Sequence, residues 1–274
     1  MRTNSDRSVG SDGGEGEPES DVALSIVIPA HNSGTVLEVT VRRFAERFRG
    51  QSVEIIAVEN GSTDDTPAIC AAIADGWDTA GVSFVPMRSD KGMGNALRAG
   101  ALASRGSRVL LTADDLPFGF DDVDGADRVE RETGRRPAVV IGSKAHPNSV
   151  ADRGLPRAVM TRSFAILRRV ILGTRTGDPQ GTFLVDGDLL RALVPHLVES
   201  GFLFTTELDY AVESAGIRPV EVPIRLSGEH RAHASRISAG DVVRMAKGLW
   251  SLRRRRSALR SAASAAAGAR SSDR

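Results

Sequence analysis

Short apolar runs alternate with stretches of helical period through the first half of the chain. Ala23 to Ile28 (A-L-S-I-V-I) predicts a buried strand stopped by Pro29, and His31-Asn32-Ser33-Gly34 is turn chemistry. Val36, Leu37, Val41 and Phe44 then recur at helical spacing, with Glu38, Arg42, Arg43 and Arg47 between them. Val53 to Val58 predicts a second strand, ending in E-N-G-S-T-D-D-T (59–66), where Thr63 or Asp64 caps a helix through Ile69 and Ile73. Val82 to Val85 is the third strand, and D-K-G-M-G-N (90–95) leads into a helix over Ala96 to Ala103. The fourth strand is Val109 to Thr112. This repeated strand–turn–helix order predicts an α/β fold, with an open, twisted, mostly parallel sheet and helices on both faces.

Beyond Gly125 the pattern loosens. Ala138 to Ile141 reads as a buried strand, followed by Gly142-Ser143-Lys144 and a polar loop through Arg153. A helix follows from Arg157 to Leu172, with Met160, Phe164, Leu167 and Ile171 as one stripe and Arg162 and Arg169 opposite. Thr182 to Val185 and Val220 to Ile224 read as strands around a helix near Leu189 to Val198, and Glu207 to Ala215 as a further helix. Val242, Val243, Ala246, Leu249 and Trp250 share one face of a last helix, with Arg244, Lys247 and Ser251 opposite and Arg253 to Arg256 after it.

Composition narrows the class. A chain of 274 residues buries one sizeable core or at most two small ones. Its 41% hydrophobic and 26% charged residues are those of an ordinary globular protein. The net charge of +1 is uninformative, but acid collects at the start of the chain and arginine at its end. Residues 1–21 have almost nothing to bury and are expected to form a disordered tail. The one cysteine, Cys70, excludes an internal disulfide framework and fits a reducing compartment. No apolar run approaches the ~18–20 residues that cross a bilayer, and no secretory peptide is visible, so a soluble or peripheral protein is expected.

The candidate chemistry centres on R-V-L-L-T-A-D-D-L-P-F-G-F-D-D (108–122). Carboxylates at the carboxyl end of a buried strand lie where open α/β sheets bind ligands. Asp115 is therefore expected to face a metal-bound diphosphate; solvation of a loop and capping of the next helix is the alternative.

Four stretches in order, S-I-V-I-P-A-H-N (25–32), V-E-N-G-S-T-D-D-T (58–66), K-G-M-G-N-A-L-R-A-G (91–100) and T-A-D-D-L (112–116), resemble the family 2 glycosyltransferases of GT-A fold. The later G-S-K (142–144), D-P-Q-G-T-F (178–183), E-V-P-I-R-L (221–226) and R-A-H-A-S-R-I-S (231–238) resemble the polyprenol-phosphate or dolichol-phosphate mannose synthase type, over roughly residues 23–240. The resemblance divides the chain into a tail (1–21), a GT-A domain (22–240), a basic amphipathic helix (241–257) and a flexible tail (258–274).

It also implies roles. The nucleoside of a nucleotide sugar, of GDP-mannose or UDP-glucose type, would meet Pro29, Ala30, Asn32, Glu59 and Gly61. Gly92 and Gly94 would let backbone approach the donor with Lys91 near phosphate, although turn geometry also explains them; the Rossmann and P-loop fingerprints are incomplete here. Aligned on Leu116, Ala113 takes the first position of the family's Asp-x-Asp and Asp115 the last, with Asp114 between. Mg²⁺ or Mn²⁺ would therefore rest on Asp115, with Asp114 as the auxiliary. Asp178 and Gln180 match the family's D-x-Q segment, where Asp178 would orient the sugar or the basic residues. Lys144, Arg153, Arg231 and Arg236 would clamp an acceptor phosphate, and Glu207 or Asp209 would be the base if the acceptor were a hydroxyl. His146, His230 and His233 lack metal-ligand spacing.

The resemblance thus implies an inverting transferase that moves a hexose to a polyprenyl phosphate at the cytoplasmic membrane face. The C-terminal basic helix would lie on anionic lipid, or else pack on the core. A transferase using a soluble hydroxyl acceptor and a non-catalytic nucleotide-sugar-binding protein are the alternatives. Nucleic-acid binding is disfavoured by a terminal basic cluster and few aromatics.

Overall fold

The computed structural model describes residues 22–150, 155–226 and 239–272, without the side chains of 155–163 and 239–246 and of several residues after 265. The expected tail at 1–21 and the candidates Arg153, His230, Arg231, His233 and Arg236 lie outside the described residues.

Seven strands form one sheet: β1 (Leu24–Ala30), β2 (Val53–Glu59), β3 (Val82–Arg88), β4 (Arg108–Leu111), β5 (Val139–Ser143), β6 (Thr182–Asp186) and β7 (Val220–Pro223), in the order β3-β2-β1-β4-β6-β5-β7. Every pairing is parallel except those of β6, which runs against both β4 and β5. The helices are α1 (Leu37–Arg47), α2 (Thr66–Asp75), α3 (Met93–Ala103), α4 (Asp121–Thr133), α5 (Leu155–Leu172), α6 (Gly187–Leu193), α7 (Phe204–Ser214), α8 (Ala239–Arg254) and α9 (Arg256–Ser272).

Successive strand residues point to opposite faces, and both faces are covered. Ile26, Ile28, Ile55 and Leu110 pack with Leu37, Val41 and Phe44 of α1 and Val123 of α4. Val27, Ile56, Val109 and Leu111 pack with Leu97 of α3, Leu190 of α6 and Leu208 of α7. Two buried faces explain why the strands read as apolar runs rather than as alternations. One charged residue of the sheet, Glu54, is almost fully enclosed in β2. The Ser25 hydroxyl donates to it at 2.6 Å, and Arg105 donates through its backbone N–H at 2.7 Å and its guanidinium at 2.9 Å. A carboxylate in that position is tolerable because each oxygen is bonded.

Some elements depart from the sequence pattern. Pro29 does not stop β1; the strand runs to Ala30, with Pro29 paired opposite Val58. Along β1 the ladder toward β2 continues to Ala30, which accepts from the Asn60 N–H at 3.0 Å. The ladder toward β4 ends beside Val27, so the missing proline N–H removes no bond on that side. In α5, Ile171 is buried as expected, but Leu167 is exposed and the neighbouring Arg168 is enclosed. The guanidinium of Arg168 lies 3.2 Å from Asp209 and donates to the Thr174 hydroxyl at 2.7 Å. Its charge is therefore compensated inside the core.

The end of the chain also differs. The segment expected to be a loose tail is α9, whose Leu259 and Ala263 are buried in the same core as α6 and α7. In α8, Leu249 and Leu252 are fully buried. Of the expected apolar stripe, Leu249 packs on the protein while Trp250 is exposed, so the helix covers the domain through Leu249 and Leu252.

Candidate active site

The order reversal between β1 and β4 makes a crevice at the carboxyl ends of the strands. Three loops edge it. In the first, Asn32 takes a left-handed φ of 53°, donates its N–H to the Ser62 hydroxyl at 3.1 Å, and accepts from the Thr63 N–H at 2.8 Å. Asp64 accepts from the Gly34 N–H at 3.0 Å and from Thr66, whose hydroxyl holds the Asp64 carboxyl below its ordinary value. The loops after β1 and β2 are therefore one unit. Pro29 and Ala30 are buried beneath it.

Glu59 is nearly buried and accepts from the Ser62 N–H at 2.6 Å, while Arg88 approaches its other oxygen at 3.8 Å. Asn60, which the sequence reading did not single out, joins three segments. Its amide donates to Ala30 O at 3.0 Å and accepts from the Gly92 N–H at 3.3 Å. Gly61 sits at φ 79° against the Lys91 side chain, and Lys91 itself is exposed.

The glycines at 92 and 94 serve packing. A Cβ on Gly92 would lie 2.3 Å from Ser200 O, and one on Gly94 2.3 Å from Glu199 O. The first turn of α3 instead donates to the Ser200 carbonyl, from Gly94 N at 2.9 Å. Both glycines thus lie against the chain's own backbone on that side.

After β4 the chain turns sharply at Leu116, a non-glycine residue with φ 45°, whose side chain is buried below the sheet with α1 and α4. A left-handed leucine costs about 1–3 kcal/mol unless its surroundings hold it. The two carboxylates just before it have different surroundings. Asp114 accepts a short hydrogen bond from the Ser33 hydroxyl and so joins the first loop. Asp115 lines a cleft of about 300 Å³ together with Thr112, Lys144, Gln180 and Thr205.

Lys144 follows β5, and Asp178 and Gln180 precede β6. Antiparallel pairing places Thr182 opposite Gly142, so both segments reach the same end of the sheet. Lys144 donates from Nζ to Gln180 O at 3.0 Å, lies 3.4 Å from Asp178, and sits 5.4 Å from the centre of the Phe118 ring. Asp178 also accepts from the Lys144 N–H at 2.9 Å. It therefore holds the lysine at both ends. Glu221 in turn accepts from the Gly177 N–H at 3.0 Å and the Asp178 N–H at 3.2 Å.

Neither expected base stands in this cleft. Glu207 is fully buried and accepts from the Val198 and Glu199 N–H groups, both at 2.8 Å, and from Arg255 at 2.6 Å. Asp209 is fully buried against Thr176 and Arg168, and burial pushes its carboxyl upward. Both are structural carboxylates.

Thr205 was not anticipated. It lines the cleft with a buried hydroxyl that has no hydrogen-bond partner among the described residues. Nothing in its sequence neighbourhood marked it, because only the folding of α7 onto the sheet brings it there.

Comparison with known proteins agrees with this geometry. Residues 25–123 match the family described as Glycosyl transferase family 2. A dolichyl-phosphate beta-glucosyltransferase of Saccharomyces cerevisiae is 29% identical over 87% of this chain and 76% of its own length. The glycosyltransferase AglD of Haloferax volcanii is 28% identical over 74% of this chain, which spans 33% of that longer protein. Glucosyl-3-phosphoglycerate synthase of Mycobacterium tuberculosis, solved with UDP and also with Mn²⁺, shares the fold at a TM-score of 0.59 and 20% identity, over 85% of this chain and 79% of its own. The sheet is that of the GT-A fold. Residues 25–123 carry the family 2 match, and the chain is a glycosyltransferase.

Proposed function

We propose that this enzyme moves a glucosyl group from a nucleoside diphosphate sugar to a polyprenyl phosphate, with inversion at the anomeric carbon. The observation that carries the reading is the convergence of Asp115 and Lys144 on one cleft at the strand switch, with Lys144 anchored by Asp178 and Gln180. The glucosyl group and the lipid acceptor follow the relatives named dolichyl-phosphate beta-glucosyltransferase in yeast, Dictyostelium discoideum and Drosophila melanogaster.

The chemistry suits these residues. An acceptor phosphate has a second pKa near ~6 and is substantially anionic at neutral pH. Its oxygen forms the new bond to the anomeric carbon while the bond to the donor diphosphate breaks, and the nucleoside diphosphate leaves with the electron pair. No general base is needed, consistent with the structural roles of Glu207 and Asp209. A cation beside the acceptor is needed, and Lys144 supplies it from a fixed position. Arg153, Arg231 and Arg236 remain candidates to complete the clamp. The nucleoside is assigned to the joined loops at Pro29–Asn32 and Glu59–Gly61, and the unpartnered Thr205 hydroxyl to a sugar hydroxyl.

A divalent ion fits in one way. Among the described residues no cluster of three metal-ligating side chains occurs, and Asp114 is engaged by Ser33. Asp115 would hold Mg²⁺ or Mn²⁺ together with the donor's phosphate oxygens and water, as one carboxylate plus phosphates commonly does. The ion would neutralise charge on the leaving diphosphate.

No helix of the described residues is long and apolar enough to cross a membrane. A lipid-borne acceptor would then be met at a membrane surface, on the cytoplasmic side where nucleotide sugars are held.

The test is a donor panel, UDP-glucose against GDP-mannose, scored by nucleotide release with polyprenyl phosphate or a hydroxylated small molecule as acceptor. Transfer to the lipid from UDP-glucose, lost in Asp115→Ala at unchanged melting temperature, supports the assignment. Product with the hydroxyl acceptor alone overturns it.

A further inference from the structure

Four consecutive backbone N–H groups ahead of β6 donate to two carboxylates. Arg175 and Thr176 donate to Glu213 of α7 at 2.9 and 2.8 Å, and Gly177 and Asp178 to Glu221 of β7 at 3.0 and 3.2 Å. Successive N–H groups aimed at one carboxylate make a charge-assisted grip on the backbone. Arg168 secures the same segment through the Thr176 carbonyl and the Thr174 hydroxyl, and the Thr176 hydroxyl bonds Asp209 at 2.6 Å. The turn that carries Asp178 and Gln180 is therefore fixed at its entrance by side chains of α5, α7 and β7.

Of these anchors, Glu221 has the most direct line to the cleft. It stands on β7 opposite Ile141 of β5, three residues before Lys144. Because β5 lies between β6 and β7, Glu221 ties the segment leading into β6 across the strand that ends in Lys144. Asp178, gripped by Glu221 through its own N–H, turns its carboxylate to Lys144, 2.9 Å from the backbone nitrogen and 3.4 Å from Nζ. The fit is close, for a Cβ on Gly177 would lie 3.0 Å from both Glu221 Oε1 and Ala145 Cβ. Glu221 opens E-V-P-I-R-L (221–226), a stretch to which the resemblance assigned no role.

We propose that Glu221 is a positioning residue for the transfer: by fixing the Gly177–Asp178 backbone it sets where Lys144 presents its charge to the acceptor. The inference rests on the reading of Lys144 as the acceptor's cation. A glutamine at this position keeps one accepting oxygen but turns an N–H donor toward a backbone N–H, so one of the two bonds is lost. Glu213, Asp209 and Arg168 still hold the segment, so the fold persists while the turn beside Lys144 loosens.

The chain has three lysines, of which Lys91 and Lys247 are exposed and serve as internal references for Lys144. Limited acetylation of the full chain with acetic anhydride, without donor or acceptor and scored by peptide mass, reads the freedom of each. In Glu221→Gln, Lys144 labelling should rise about fivefold against the references at unchanged melting temperature, the worth of about one hydrogen bond. Gly177→Ala wedges the same contact from its other side and should do likewise, which keeps the test open should the glutamine variant fold poorly. In turnover with whichever acceptor the parent uses, Glu221→Gln should lower acceptor kcat/KM about fivefold and leave donor KM in place. In a Lys144→Met background it should cost nothing more. Lys144 labelling that stays at the parent level in both variants, or rises only together with the references, overturns the proposal. So does an additive loss in the Lys144→Met background. Because labelling needs no substrate, failure of the acceptor reading leaves that result untouched, and the two can fail separately.

Discussion

Glu207 on α7 and Arg255 between α8 and α9 form an ion pair of 2.6 Å, with the carboxylate fully buried and the guanidinium 28% exposed. Arg255 also donates to the His196 carbonyl at 2.7 Å. The other oxygen of Glu207 accepts from Val198 and Glu199, so one carboxylate fixes both the C-terminal cover and the 198–200 loop. That loop is the surface on which the first turn of α3 rests.

Glu207→Gln should therefore act on stability. An amide leaves Arg255 without its charge partner and turns a donor toward groups that need acceptors, which costs about 3 kcal/mol. Urea unfolding of the variant measures this directly. Unchanged stability with lost turnover would return Glu207 to the role of general base.

The glycine at 94 makes a related prediction. A methyl group there meets backbone at 2.3 Å, and neither the α3 turn nor the 199–200 backbone has a flexible end to yield. Gly94→Ala should lower stability by about 2–3 kcal/mol through overpacking. At a temperature where the variant is still folded, its donor KM should stay near that of the parent. A raised donor KM at full stability would instead place donor against this backbone.

Asp178 is positioned to act through Lys144. Lys144→Met should lower kcat/KM for the acceptor by about thirtyfold, equivalent to about 2 kcal/mol, while donor KM changes little. Asp178→Asn should lower it by about tenfold by loosening the lysine. The double variant should resemble Lys144→Met alone, because the second change removes a support for a group already gone. Additive losses in the cycle would mean that Asp178 touches substrate itself.

Much of this arrangement was legible in the chain and some was not, for identifiable reasons. The β1–β4 half could be read because β1, β2 and β4 are buried on both faces and its turns carry Asn, Gly and Asp. The pairing of Asp178 with Lys144 was foreseeable as a role for orienting basic residues. The direction of β6 leaves no local mark, since antiparallel and parallel buried strands share one composition. Pro29 misled because its missing N–H matters only where a neighbouring strand continues. Glu207 misled in the opposite sense. A buried charge reads as a catalytic group until its partner, 48 residues away, is brought beside it, and Arg168 went unremarked because its partner Asp209 is 41 residues away. Helix α9 was hidden by its Ala/Ser/Arg composition, in which Leu259 is the one large apolar side chain that anchors it.

A last prediction concerns pH. Asp122 opens α4, accepts from the Val123 N–H at 2.8 Å, and packs against Gly142 of β5, where a Cβ would lie 2.9 Å from its own. Burial pushes its carboxyl up to about 6. The unfolded chain titrates this group near ~3.9, so between roughly pH 4 and 6 the folded state holds a proton that the unfolded state has lost. Stability then falls as pH rises through that window, and the full penalty, about 3 kcal/mol for a shift of about two units, remains above it. Asp122→Asn keeps the shape and removes the ionisation. It should match the parent near pH 4 and exceed it by about 2–3 kcal/mol near pH 8, read from urea midpoints at the two values. An equal difference at both pH values would show that Asp122 ionises in the fold as it does in the unfolded chain, and that its burial beside β5 carries no electrostatic cost.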